Sequence, residues 1–296
     1  NIMKFDLKGS IVALITPFHE DGSVNFEKLH ELLEWHVANH TDGILVLGTT
    51  GESSTMTHEE DDAVVEFTLQ TINKRIPVIV GSGSNCTQTA VEKSLKYEEM
   101  GADALLVISP YYNKANASGM IQHFLAVADA VHTPIIMYNI PGRTGCSISE
   151  EAVAVLSKHE HICGIKEASG NIAYATNIAR YLNDDFRMYS GNDDMIVPLL
   201  SLGASGVISV LANVMPQETH DMVMAYLHHD VDTALQIQLD NLDLIHALFI
   251  EVNPIPVKEA LNLMGKQVGG YRLPLCEMSE EHKEVLAAKM KEKGLC

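Results

Sequence analysis

Short apolar runs rich in β-branched residues recur at intervals of about thirty residues, the length of one strand–helix unit. They predict strands over 11–15, 43–47, 77–80, 104–108, 134–137, 162–165, 186–189 and 206–210. Between most of them the pattern changes period. In "NFEKLHELLEWHVANH" the residues Leu29, Leu32, Leu33 and His36 keep helical spacing, and "TAVEKSLKYEEMG" does so approximately through Val91, Leu95 and Met100. Near-continuous apolar strands alternating with helices predict an α/β fold whose parallel sheet is covered by helices on its outer face. Eight such strands predict closure into a (β/α)8 TIM barrel. The pattern assigns 1–215 to the barrel and 216–296 to a C-terminal helical region packed on it, because no Ser/Gly-rich linker separates the two.

In such a barrel the active site lies at the C-terminal ends of the strands. The polar residues expected there are Thr16, Thr49 and Thr50, Ser82 to Asn85, Tyr111 and Tyr112, Tyr138 and Asn139, Lys166 and Glu167, Gly191 and Asn192, and Ser209 to Asn213. Lys166 stands out, since an apolar run leads straight into an ammonium that is costly to remove from water.

An amine is nucleophilic only when neutral, and apolar surroundings favour that form. It then attacks a ketone to give a Schiff base whose iminium is an electron sink. The competing reading is an ion pair between Lys166 and Glu167 or another carboxylate. The turn "LGTTGES" can cradle a carboxylate with Thr49, Thr50 and backbone N–H groups, its glycines permitting the bend, or it can be a capped strand-to-helix connection. The tyrosines of "SPYYN" and "YNIPGRTG" serve either chemistry or rim packing. Arg143 is either a surface ion pair or a fork for a second carboxylate.

Composition narrows the partners. The chain has 39 acidic against 20 basic residues, a formal charge of −19, which argues against nucleic acid or an anionic membrane. An anionic small substrate stays possible in a locally positive pocket. Five cysteines, odd in number and without a C-x-x-C pair, predict no disulfide framework and a reducing, cytoplasmic setting. No apolar run is long enough to span a bilayer, and the opening "NIMKF" has no signal-peptide pattern. His36 and His40 have the i, i+4 spacing of metal ligands but lack the accompanying glutamate, and they read as solvated helix surface. No histidine cluster decorates the strand ends, there is no P-loop or dinucleotide fingerprint, and no phosphate cup follows the last two strands. No metal and no cofactor are expected.

The ordered set "GTTGES", "SPYYN", "YNIPGRTG", "GIKEASG", "SGNDD", "GVISVLANV" and "NPIPVKEAL" resembles the pyruvate-dependent class I aldolases, the family of dihydrodipicolinate synthases and N-acetylneuraminate lyases. The resemblance runs from about Gly9 to the C-terminal helices. It implies condensation of pyruvate with aspartate 4-semialdehyde on the path to diaminopimelate and lysine. It implies Lys166 as the Schiff-base amine and Tyr138 as the proton shuttle. Thr49 would link Tyr138 to Tyr112 in a hydroxyl relay, with Tyr112 supplied by a neighbouring subunit of a homotetramer. Thr50 would hold the pyruvate carboxylate and Arg143 that of the second substrate, while backbone groups of Gly191 and Ile208 line the pocket. The same resemblance implies a lysine-inhibition site at Ser53, His58, Asn85 and Tyr111. This chain carries Thr89 where inhibited members have a glutamate, and Asp61 where they often have a histidine, so weak or absent inhibition is expected. Two other readings are a lyase acting on a sugar acid, which Arg143 disfavours, and a silent binding barrel, which the intact Lys166, Tyr138, Thr49 and Tyr112 set disfavours.

Overall fold

Apolar side chains on both faces of each strand require cover on both sides, and a closed barrel wrapped in helices supplies it. The computed structural model describes residues 5–296 and forms this arrangement. The strands are β1 (Gly9–Ala13), β2 (Gly43–Val46), β3 (Val78–Gly81), β4 (Ala104–Ile108), β5 (Ile135–Asn139), β6 (Ile162–Glu167), β7 (Arg187–Ser190) and β8 (Gly206–Ser209). Each pairs in parallel with the next, and β8 closes onto β1.

Alternation sorts the side chains into two cores. Ile11, Leu45, Ile79, Leu106, Ile136, Tyr189 and Ile208 fill the barrel interior. Val12, Val46, Val80, Val107, Met137, Ile165 and Val207 face outward into the layer beneath the helices. The helices are started by local chemistry. Asn25 caps Phe26–Ala38, and a reciprocal Thr57–Glu60 capping box opens His58–Ile72. Beyond residue 215 the chain is helical, with Pro216–Leu227 against β1 and β8 and Ile255–Leu263 against Glu280–Glu292. Among the described residues no helix is long and apolar enough to cross a membrane.

One side chain extends the closure beyond the backbone ladder. Asn213 donates through Nδ2 to the Ala13 carbonyl at 2.8 Å and accepts through Oδ1 from the Ile15 amide at 3.2 Å. It thereby continues the β1–β8 seam past the point where backbone pairing stops.

The strands depart from their predicted limits where hydrophobicity and pairing diverge. β1 begins two residues before the apolar run, because Gly9 and Ser10 pair with Gly206 and Val207. β6 extends through Lys166 and Glu167, because the ladder with β5 persists as Tyr138↔Lys166 and Asn139↔Glu167. His36 is a correction of another kind. It is fully buried rather than solvated, its Nδ1 lies 2.8 Å from the Thr41 hydroxyl, and burial holds its pKa down to about 3, so it is a neutral core residue. His40 lies beyond the helix, exposed and with a positive φ of 64°.

Candidate active site

The pleat decides where Lys166 points. A register shift opposite Ile135–Ile136 lets Ile162 and Ile165 both serve the outer core. With Ile165 facing out, Lys166 faces the barrel axis and is only 6% exposed. Its register partner Tyr138 lies on the same face of β5, and Lys166 Nζ sits 4.0 Å above the centroid of the Tyr138 ring.

The ion-pair reading of Lys166 finds no support among the described residues. Glu167 is turned the other way, accepting from Asn139 Nδ2 at 2.9 Å, the Ser169 amide at 3.0 Å and the Ser169 hydroxyl at 2.9 Å. Burial nonetheless pushes its carboxyl above the usual range. The carboxyl group that feels Lys166, without bonding to it, is Asp193, following β7. It is buried and held by the Ser209 hydroxyl at 2.5 Å and the amides of Val210 and Leu211 at 3.0 and 2.9 Å. Burial raises its pKa, and these donors and the Lys166 charge oppose the rise.

Gly191 lets the lysine lie flat. A Cβ there would stand 2.6 Å from Ala168 Cβ and 3.1 and 3.2 Å from Cε and Cγ of Lys166. No side chain other than hydrogen fits against that stem without displacement.

Across the mouth, the turn after β2 presents Thr49 and Thr50. Gly51 and Glu52 donate their amides back to Gly48 and Thr49, leaving the amides of Thr49 and Thr50 without a partner among the described residues. Thr50 is buried, and its hydroxyl accepts from Asn253 Nδ2 at 2.9 Å. Asn253 Oδ1 is buried and unpartnered, and the Asn253 carbonyl accepts from Arg143 Nη2 at 3.3 Å. The left-handed residues of this turn are Leu47 (φ 61°) and Glu52 (φ 58°), so the bend does not depend on Gly48 or Gly51 adopting positive φ.

The structure brings Lys166, Tyr138, Gly191 and Ile208 to adjacent strand ends, with Thr50 and Arg143 linked through Asn253. Within one chain no hydrogen bond joins the hydroxyls of Tyr138, Thr49 and Tyr112 among the described residues. Tyr112 projects outward, 89% exposed, with a backbone φ of 74° and its amide donating a hydrogen bond to the Thr144 carbonyl. The four residues Ser53, His58, Asn85 and Tyr111 fall into separate contacts. Asn85 Nδ2 donates to the Tyr111 carbonyl at 3.1 Å, whereas the Ser53 hydroxyl turns to the Asp61 carboxylate at 3.3 Å.

A sequence model of the Dihydrodipicolinate synthetase family matches residues 6–293. The chain belongs to this family. It is 52% identical over 288 residues to 4-hydroxy-tetrahydrodipicolinate synthase 1 of Clostridium acetobutylicum, covering 97% of this chain and 98% of that one. The dihydrodipicolinate synthase of Aquifex aeolicus superposes with a TM-score of 0.94 at 46% identity, over 97% of this chain and 98% of that one. The chloride-inhibited enzyme of Acinetobacter baumannii, solved as a complex with pyruvate, superposes with a TM-score of 0.95 at 40% identity, over 98% of this chain and all of that one.

Two features of this dihydrodipicolinate synthetase family chain escaped the strand-end search. Asn253 opens "NPIPVKEAL" in a segment remote from every strand, and Asp193 lies in "SGNDD" just past the strand-end residues Gly191 and Asn192; both stretches carried the resemblance, but neither residue was singled out. One signal was present for a third. In "IPVKEAL", Lys258 occupies the i+3 position between Ile255 and Leu261, on the apolar face of its helix.

Proposed function

We propose that the protein condenses pyruvate with aspartate 4-semialdehyde to give 4-hydroxy-tetrahydrodipicolinate, through a Schiff base on Lys166. The observation that carries this is the buried amine at the barrel mouth, free of any carboxylate partner among the described residues and stacked on a phenol ring. Lys166 adds to the pyruvate ketone and expels water, forming an iminium. The Tyr138 ring face favours positive charge at that nitrogen. Loss of a methyl proton gives an enamine, which attacks the aldehyde of the second substrate. The amine of that substrate then closes the ring on the former ketone carbon and releases Lys166.

Tyr138 carries the protons, a role supported by its register position opposite Lys166 and its ring 4.0 Å from the amine. Thr49 and Tyr112 extend the relay. An exposed tyrosine held in a left-handed backbone suits insertion into a neighbouring copy, so Tyr112 acts in trans within a homotetramer. The unpartnered amides of Thr49 and Thr50, with the Thr50 hydroxyl, bind the pyruvate carboxylate. Arg143 binds the carboxylate of the second substrate, and backbone of Gly191 and Ile208 lines the pocket. The helical region 216–296 is an extension packed on the barrel 1–215, and the enzyme works in the cytoplasm. At the site of Ser53, His58, Asn85 and Tyr111 lysine inhibits weakly or not at all. Thr89 offers no charge to an ammonium.

Borohydride reduction with pyruvate tests the reaction class, the expected result being an adduct on the peptide containing Lys166. An unmodified Lys166 would overturn the mechanism. Turnover of N-acetylneuraminate but not of aspartate 4-semialdehyde would overturn the substrate assignment.

A further inference from the structure

A second lysine is buried more completely than the first. Lys258 is 0% exposed and all three of its ammonium protons are matched. It donates to the Glu52 carboxylate at 2.7 Å, the Thr16 carbonyl at 2.9 Å and the Gly270 carbonyl at 2.6 Å, with the Phe18 ring centroid 4.2 Å away. Glu52 is 2% exposed and stands in the left-handed region, which costs a residue bearing a side chain. Burial pulls the Lys258 pKa down and the Glu52 charge opposes this.

The location of the pair gives it a use. Glu52 follows Thr50 by two residues, and Lys258 follows Asn253 by five. The ion pair and the Thr50–Asn253 hydrogen bond therefore connect the same two segments side by side. Thr16, which accepts from Lys258 through its carbonyl, donates through its hydroxyl to the Gly51 carbonyl at 2.7 Å and pins the turn from its other side. A packed apolar pair would hold such segments together at least as firmly, since desolvation cancels much of the attraction in a buried ion pair. A charged, three-way hydrogen-bonded lysine supplies direction.

We propose that Glu52 and Lys258 are positioning residues for the reaction, fixing the Thr49–Thr50 turn in the one conformation that aims its amides and the Thr50 hydroxyl at the substrate carboxylate. The strained φ of Glu52 is maintained by its salt link to the Ile255–Leu263 helix. Both residues act through the turn, with no contact to substrate. This inference rests on the reading of Thr50 as the carboxylate subsite.

The test is steady-state kinetics with melting temperatures for Glu52→Gln, Lys258→Met and the double variant. Carboxylate binding is shared by ground and transition states, so its loss raises KM and spares kcat. For each single variant, pyruvate KM is expected to rise about tenfold, the scale of one mis-set hydrogen bond to a charged group, with kcat within about threefold. In the double variant, which buries no unpaired charge, the melting temperature is expected to recover toward that of the parent while KM stays raised. That split is one a purely structural pair would not produce. Should the single variants fail to fold, the double variant carries the test. Pyruvate KM within twofold of the parent in the folded variants overturns the proposal. Thr50→Val separates the two levels: an unchanged KM there sinks the subsite reading, whereas a raised KM there with unchanged KM in the pair variants sinks the positioning role alone.

Discussion

Replacing Gly191 with alanine puts the geometry of the reactive amine under direct test. The new Cβ would lie 2.6 Å from Ala168 Cβ, about 1 Å inside ordinary carbon–carbon contact, and 3.1 and 3.2 Å from two carbons of the Lys166 stem. Ala168 cannot swing away, because its amide is bonded to the Asn139 carbonyl at 2.9 Å and Gly191 is itself tied to the Glu167 carbonyl at 2.8 Å. The backbone of one of these two segments must therefore shift to relieve the 2.6 Å approach, and because Lys166 lies two residues before Ala168 the shift carries the reactive amine with it. Overpacking of this size costs about 1–3 kcal/mol of stability, a fall of several degrees in melting temperature with the fold retained. The effect on chemistry is larger, since moving a reacting atom by about 1 Å costs on the order of a hundredfold in rate. The assay is borohydride trapping of pyruvate on Lys166, quantified by mass spectrometry across pyruvate concentrations, alongside kcat/KM. The expected result is a folded variant with kcat/KM about a hundredfold lower and a matching deficit of adduct. Parental trapping and turnover would show that the stem does not lie where the Gly191 contacts place it.

Three further predictions follow from other parts of the molecule. Tyr112→Phe should lower kcat at least about tenfold while moving stability by no more than about 0.5 kcal/mol, because the side chain is 89% exposed in the single chain; an unchanged rate removes it from the relay. Lysine should not inhibit at low micromolar concentration, and half-inhibition in that range would restore the site to the inhibited pattern. Asp61 is buried and its carboxyl is raised to about 6, so it holds a proton more tightly folded than unfolded. Its contribution to stability must then fall as pH rises from about 4 to about 6, by roughly 2–3 kcal/mol relative to Asp61→Asn. Urea melts of both proteins at the ends of that window check this, and a difference that does not change with pH refutes it.

Much of the barrel was legible because its information is local and periodic. Each strand announces itself through an apolar run, and Lys166 is conspicuous because a cation interrupts one. What was illegible is what depends on contact across the molecule. His36 shares the helical stripe of Leu29, Leu32 and Leu33, which pointed to its burial, but nothing near it signals Thr41 as its partner. Nothing near Glu52 signals a partner 206 residues away, and the bend there falls on Leu47 and Glu52 although glycines invite the assignment. The strand limits slipped for a related reason. Pairing, which continues through polar Lys166 and Glu167 and starts at Gly9, sets them, and hydrophobicity reports pairing only in the middle of a strand.

The Asn213 clasp has a consequence for how the molecule is made. The groups it joins are separated by 198 and 200 positions, so the ring cannot shut until nearly three-quarters of the polypeptide is available. Such remote pairing is slow to form, and a partial chain would expose open sheet edges meanwhile. The catalytic mouth, assembled from both sides of that seam, should therefore appear late and all at once during refolding.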